Sequence, residues 1–576
     1  MPKIDTTVRE LVDMIKRGEL RLPEMQRRYV WPATRVRDLL DSLYRGYPSG
    51  AILIWETDIS NPIRDLPVHQ DENIFATQKL LLDGQQRLTS LYAVISGDPI
   101  KVRNRKKPIE ILFNLDHPDI SPDEFTEIED DMDSPTLTDD ELEEEDENGD
   151  EFDIQHRLSK RTFVVYSKQL AANPKWIKVT DVFKGLNEWT ILKPLKLQPD
   201  DSQYEKYSQR IQKLRKITDY PYVMQVLPRD LNYIEVAEIF VRVNSLGVKL
   251  RGSDLAMAQV TARWQNSLKL FEEFADEMDQ NTLFTLDIGL LIRAIVVYAT
   301  KQCRFRTVQN IPVPRLKEAW EFSKQGIQYA INFLKTNVGI EDESLLSSPF
   351  IILILAVYGS NKKFKLSTEE EKILRQWTLL ANVKGRYSRG STESFLDQDL
   401  SHVFKNEPIN SLITVLEQQV GRLSVSSEDM ENRGARSPLF ASSYLALKAL
   451  GAKDWFSGLG LSLTHQGKLH YIEHHHIFPK SLLAHYGYEK GHINEIANLA
   501  FISGKANRKI QNKEPKDYLQ GIVDDFRKEA LLLHAIPDDP TLWQIQNYPL
   551  FLQWRRKRLC EIINNFIQTT PNSAHH

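Results

Sequence analysis

The sequence predicts a multidomain α+β protein, and three observations carry that expectation. The chain has 576 residues, more than one hydrophobic core organises. Residues 1–250 alternate helical and strand patterns, whereas residues from about 253 to 425 are nearly all helical in pattern. From about residue 426 the chain gathers histidine and asparagine in a strand–loop–strand–helix order. The expected domains are therefore 1–252, a helical connecting domain at 253–425, and 426–576.

The elements follow from periodicity. Val8, Leu11, Val12 and Ile15 fall on one helical face, as do Val36, Leu39, Leu40 and Leu43. Residues 51–55 and 80–82 are short apolar strands that end at polar turns. The second leads through Gly84 into a helix whose apolar face is Leu88, Leu91, Tyr92 and Ile95. An acidic insertion near 121–153 interrupts this region, which resumes with Phe163-Val164-Val165-Tyr166. Ser253 or Asp254 caps the first helix of the middle region. The longest apolar run, 350–358, is about half of what spans a bilayer, and the run at 288–299 carries Arg293. Both read as buried helices, and no membrane partner is expected.

Composition narrows the class. With 41% apolar and 27% charged residues, the chain reads as an ordinary globular protein. Two cysteines, Cys303 and Cys560, exclude a disulfide framework and a cysteine-based zinc site. The start, Met1-Pro2-Lys3-Ile4-Asp5, lacks the apolar core of a signal peptide, and a cytoplasmic location is expected. The net charge of −5 hides an asymmetry: residues 121–153 hold 18 Asp/Glu and no Lys or Arg, and without them 74 basic residues face 61 acidic ones. The plainer reading of that block is a solvated loop. The sharper one is a strip that competes with phosphate for a basic groove.

The C-terminal segment carries the strongest chemical signal. Tyr471-Ile472-Glu473-His474-His475-His476-Ile477-Phe478-Pro479-Lys480 is followed by Asn498-Leu499-Ala500-Phe501-Ile502, then Asn507-Arg508-Lys509. Phosphodiester hydrolysis needs an activated water and a cation at the leaving oxygen. A histidine takes a proton from water near neutral pH when its other ring nitrogen is held. A hard cation needs few N/O ligands and keeps open positions for phosphate. On this reading His476 is the general base, Asn498 orients it, and His475 with Asn507 binds Mg2+ or Mn2+. Lys505, Arg508, Lys509 and Lys513 would meet phosphates. The pattern resembles the HNH/His-Me finger nucleases, in the subgroup whose last ligand is Asn, which implies a ββα-metal fold. Many HNH proteins have Asp where this chain has His475, so the choice between His474 and His475 as ligand stays open.

Two Gln-Arg pairs mark the other end. Gln26-Arg27 lies in Leu22-Pro23-Glu24-Met25-Gln26-Arg27-Arg28-Tyr29-Val30-Trp31, and Gln86-Arg87 in Asp83-Gly84-Gln85-Gln86-Arg87. A glycine at a helix N-terminus lets backbone approach an anion, and Arg87 offers a planar donor fork. A buried structural Asp83–Arg87 pair is the competing reading. Together with Phe240-Val241-Arg242-Val243-Asn244, these motifs resemble the N-terminal domain of GmrSD-type, modification-dependent restriction enzymes. The resemblance implies a ParB/sulfiredoxin-like domain that binds and hydrolyses a nucleoside triphosphate, with GTP, UTP, CTP or another unresolved. It also implies Asp83, Gly84, Gln85, Gln86 and Arg87 as the nucleotide motif, with Gln26, Arg27 and Asn244 as pocket partners. A P-loop motif is absent from the sequence.

Taken together, the two resemblances imply a nucleotide-regulated, metal-dependent DNA endonuclease of phage defence, acting on modified DNA such as glucosylated hydroxymethylcytosine, or in relation to phosphorothioate marks. A homodimer would supply two fingers for two strands. The alternatives are a non-catalytic, nucleotide-responsive DNA-binding regulator, and an HNH toxin or RNase. Further DNA contacts are sought at Arg386 and Arg389 and at Arg555, Arg556, Lys557 and Arg558. Trp31, Trp55 and Tyr387 are candidates for base stacking or for core.

Overall fold

The computed structural model describes residues 2–24, 26, 29, 31–57, 63–64, 66, 68, 78–98, 109–118, 160–246, 252–388, 390–455, 457–461, 472–510, 513–526 and 529–569. The acidic block at 121–153 therefore lies outside the described residues. The chain divides into two compact units, Met1–Leu268 and Lys269–His576. The His/Asn segment and most of the expected helical middle fall in the second, but residues 253–268, with the helix Gly252–Arg263, belong to the first.

The first unit is built on a six-stranded mixed sheet. Its strands are β1 (Lys3–Thr7), β2 (Leu20–Pro23), β3 (Ile52–Thr57), β4 (Ile63–Arg64), β5 (Gln78–Asp83) and β9 (Pro221–Leu227), in the order β1-β9-β3-β5-β2-β4. A separate three-stranded sheet holds β6 (Ile111–Asn114) between β7 (Phe163–Val165) and β8 (Trp176–Lys178). Central strand β3 runs antiparallel to β5 and parallel to β9.

Alternation along the central strands divides two cores, because successive side chains leave opposite faces of a sheet. Ile52, Ile54 and Leu81 join α1 (Val8–Lys16), α2 (Ala33–Arg45) and α3 (Gln85–Ser96) on one face. Leu53, Trp55, Leu80 and Leu82 meet Val236, Ala237 and Phe240 of α5 (Tyr233–Leu246) on the other, after α4 (Ser202–Arg215) has packed on the first. Each such fully buried aliphatic side chain contributes roughly 1.5–3 kcal/mol. Helix α1 starts in a Thr7/Glu10 capping box, and α2 stops at Gly46, whose φ of 74° is left-handed. The helical faces expected at residues 8–15 and 36–43 are the buried ones.

The second unit is helical around an embedded β-hairpin. Its helices include α6 (Ile288–Thr300), α7 (Val313–Phe333), α8 (Phe350–Asn361), α9 (Thr368–Val383), α10 (Thr392–Phe404) and α11 (Pro438–Leu450). Residues 351–359 of α8 are all buried, so it is apolar on every side and sits as a core helix. The hairpin strands β10 (Ile472–His476) and β11 (Leu499–Ser503) are followed by α12 (Gly504–Ile510), α13 (Pro515–Phe526) and α14 (Tyr548–Gln568). Phe501 of β11 stacks against Phe440 and Tyr444 of α11, at 4.8 and 5.2 Å between ring centroids. That contact ties the hairpin to the helices. Among the described residues, no helix is long and apolar enough to cross a membrane.

Candidate active site

The hairpin supplies the frame. β10 and β11 pair antiparallel, with His475 opposite Ala500 and His476 opposite Leu499. Adjacent strand residues face opposite ways, so the two histidines have different surroundings. His475 is 4% exposed and His476 is half-buried. Beyond the strand, Ile477 and Phe478 are buried in the core formed with Ile493, Leu519, Tyr548 and Phe551. Pro479 then precedes a short helix, Lys480–His485.

His475 and Asn507 converge. The His475 Nδ1 lies 2.8 Å from Asn507 Oδ1, across from the first strand to α12. Burial pushes the His475 ring down to about 4 against the pull of the Asn507 hydrogen bond, so the imidazole is neutral at neutral pH, the form that ligates metals. Its Nε2 lies 3.5 Å from the Tyr518 hydroxyl, which donates to Ile477 O at 2.9 Å. Trp455 and Tyr518 wall the ring edge-on, with centroids 6.3 and 6.0 Å away. Asn507 Oδ1 can only accept, so in this contact Nδ1 carries the ring proton; a cation bound there would take that proton's place and leave Nε2–H facing the Tyr518 oxygen. Among the described residues, no three His, Cys, Asp or Glu side chains form a metal cage. One nitrogen and one amide oxygen instead fit a hard cation that keeps positions open for phosphate. The side chain of His474 is outside the described set.

The expectation that Asn498 orients His476 needs correction. Asn498 is fully buried. Its Oδ1 accepts from Phe478 N at 2.9 Å, and its Nδ2 donates to Phe478 O at 3.1 Å and Ile493 O at 3.0 Å. Those bonds engage both amide protons and hold the loop between the strands closed. The backbone of the same residue also accepts from Ile477 N at 2.8 Å. The side chain beside His476 is that of Asn494, four residues earlier and exposed: its Oδ1 lies 3.1 Å from His476 Nε2. Sequence spacing carries no signal that separates these two asparagines.

Asp454 braces the start of α12. Its Oδ2 accepts from Ser503 N at 2.7 Å, and Ser503 Oγ accepts from Ala506 N at 3.2 Å. Burial alone would raise the Asp454 carboxyl, but the Ser503 and Ser457 donors hold it below the ordinary carboxylate range. The helix that presents Asn507 is thereby pinned.

The expected phosphate contacts divide. Lys509 and Lys513 are exposed, whereas the side chains of Lys505 and Arg508 lie outside the described set. The basic run in α14 is largely structural. Arg555 is fully buried and donates to Ala535 O, Ile496 O and His534 O, each at 3.1 Å. Arg556 grips the buried Glu495 carboxylate through two donors, and Arg558 pairs with Glu561 at 3.1 Å. Arg386 is also fully buried, paired with Asp399 at 2.8 Å, and the Tyr387 hydroxyl donates to the same carboxylate. Trp55 and Tyr387 are core residues, and Trp31 is half-buried against the core. Arg389 lies outside the described residues.

In the first unit, the 83–87 motif sits at the turn from β5 into α3. Gly84 caps α3 with φ 95°, and a Cβ there would stand 2.5 Å from Ile52 Cδ1. The left-handed φ is what favours glycine here. Arg87 donates to Ser49 O, to Ala51 O at 2.8 Å and to Asp83 Oδ2 at 3.1 Å. It braces the 49–51 turn against α3. Gln86 Oε1 accepts from Trp31 N at 3.2 Å, and the buried Gln26 donates to Leu81 O. The two Gln-Arg motifs are thus brought together through Gln26, Gln86 and Trp31, with Gln85 buried at the first turn. Asn244 lies on α5 with its side chain outside the described set, and Arg27 lies outside the described residues.

Residues 8–261 match the model of the family described as "GmrSD restriction endonuclease, N-terminal domain". Over 560 residues, the chain is 24% identical to a protein of Methanocaldococcus jannaschii named as uncharacterized, covering 91% of this chain and 88% of the relative.

Proposed function

We propose that the protein is a divalent-metal-dependent DNA endonuclease of phage defence, regulated by a nucleoside triphosphate bound in the first unit. The observation that carries this reading is the convergence of His475 Nδ1 and Asn507 Oδ1 at 2.8 Å beside the His476–Asn494 pair on one hairpin. The family match over residues 8–261 supports the restriction role, and the archaeal relative spans both units.

Each side chain has a defined task. Asn494 Oδ1 accepts the Nε2 proton of His476, which puts the ring's lone pair on Nδ1. That atom takes the proton from the attacking water. His475 and Asn507 hold Mg2+ or Mn2+, which when bound stabilises charge on the phosphate and leaving oxygen. Asn498 keeps the intervening loop rigid, and Lys505, Arg508 and Lys509 of α12, with Lys513 beyond its end, meet the DNA backbone.

For the first unit, Asp83, Gly84, Gln85, Gln86 and Arg87 form the nucleotide site, with Gln26, Arg27 and Asn244 as partners. The left-handed Gly84 at the start of α3 supports phosphate approach. Control of the nuclease requires the nucleotide to bind two states of the protein with different affinity. The substrate is modified phage DNA met in the cytoplasm, and two chains together cut both strands.

The test is digestion of modified phage DNA, plain plasmid and RNA side by side in Mn2+, with and without GTP, UTP or CTP. Cleavage of modified DNA, altered by one triphosphate, is the expected result. Cleavage of RNA alone, or of none of the substrates, overturns the reading.

A further inference from the structure

The segment preceding α11 is fastened to the loop that holds the His476 partner. Ile496 N donates to Arg433 O at 2.7 Å. Asn432 N donates to Glu495 Oε2 at 3.3 Å, and Arg556 joins Glu495 to Glu431, the latter at 3.2 Å. The two segments also pack closely: a Cβ on Gly434 would stand 3.1 Å from the backbone oxygen of Asn494, and one on Gly491 would stand 2.9 Å from the side-chain Oδ1 of Asn432. Asn432 itself adopts φ 57°, a left-handed conformation that asparagine tolerates better than most residues. Ser437 then caps α11 by accepting from Leu439 N at 3.3 Å.

This fastening has a cost that calls for a reason. It uses a fully buried carboxylate, Glu495, held by a guanidinium, and removing one partner of such a pair is strongly destabilising. The result is a rigid turn, Asn432-Arg433-Gly434-Ala435-Arg436, whose two arginines are both exposed. Gly434 of that turn packs on Asn494, and Asn494 binds His476. The turn thus carries two exposed arginines, on either side of the glycine that packs against Asn494.

We propose that residues 431–437 form a second wall of the nuclease site, and that Arg433 and Arg436 bind backbone phosphates of the DNA substrate. This rests on the nuclease reading and names a substrate grip that lies some forty residues ahead of the finger motif in sequence. Arginine suits the task because its planar donors match phosphate oxygens. A rigid backbone mount keeps the DNA in register with the water that His476 activates.

The test measures binding of a short fluorescein-labelled DNA duplex by anisotropy across a salt series, in the full-length His476→Ala background so that the duplex survives. Arg433→Glu and Arg436→Glu should each weaken binding about tenfold and flatten the salt dependence by about one phosphate contact. Arg433→Lys should retain most of the affinity. The melting temperature of Arg433→Glu should match the parent, because that side chain is exposed. Unchanged affinity and salt slope in both Glu variants overturn the role of this loop and leave the nuclease reading intact. Failure of the His476-containing protein to cut any DNA in Mn2+ overturns the nuclease reading instead. Tighter binding of an RNA duplex of the same sequence overturns the assignment to DNA.

Discussion

The Oδ1 of Asn494 lies 3.1 Å from the Nε2 of His476, on an exposed stretch of loop whose neighbour Glu495 is fully buried and clamped by Arg556. An exposed side chain on an immobile backbone can set a ring's orientation without contributing to the core. Asn494→Ala should lower the single-turnover cleavage rate on the order of 10²-fold while leaving Mn2+ affinity and melting temperature near the parent values. A matching loss of Mn2+ affinity or of thermal stability would show that Asn494 serves the fold instead.

Asn498 should behave in the opposite way. Its three side-chain hydrogen bonds to Phe478 and Ile493 are buried, and leaving such groups unpaired costs about 1–3 kcal/mol each. Asn498→Ala should therefore lower stability by several kcal/mol in denaturant unfolding, with activity lost through the fold. Parental stability in this variant would contradict the loop-closing role.

Tyr518 links His475 Nε2 to Ile477 O. Groups that orient a metal-bound histidine typically change affinity 10- to 100-fold when removed. Tyr518→Phe should weaken Mn2+ binding about tenfold when free Mn2+ is read by electron paramagnetic resonance. Unchanged binding would mean that the tyrosine merely packs against the ring.

His534 provides a pH signature of stability. Burial, reinforced by the Arg555 charge, pushes its ring down to about 4 from an ordinary 6.5, although its bond to Lys453 O opposes this. The folded state thus resists a proton that the unfolded chain accepts. The stability is fully present above about pH 6.5 and is lost as pH falls toward 4, by roughly 3 kcal/mol in total. Urea unfolding of the full chain between pH 7 and 4 should show a slope that His534→Gln reduces. Identical slopes would remove His534 from the account.

The order strand, loop, strand, helix was legible from the histidines, Pro479 and the two asparagines, because spacing along the chain fixes which residues can meet across a hairpin. The two faces of the central sheet were legible in part from the apolar alternation of residues 51–55 and 80–82. What spacing does not encode is the path of a loop. Asn494 and Asn498 are chemically identical, and the choice between them depends on how 477–498 folds back on Phe478. Charge runs misled for a related reason. Arg555 reads as a surface cation, but the carbonyls of Ile496, His534 and Ala535 converge on it only after three distant segments assemble. Arg433 carried no motif at all, and its position follows from one backbone bond to Ile496.

The proposed hydrolysis of DNA at the hairpin runs through His476. Its most direct measurement is cleavage of modified phage DNA in Mn2+ by the parent and by His476→Ala, with Mn2+ binding followed in parallel. Cleavage by the parent, at least a hundredfold loss in the variant, and retained Mn2+ binding in both are expected. Cleavage by His476→Ala at the parental rate would contradict it.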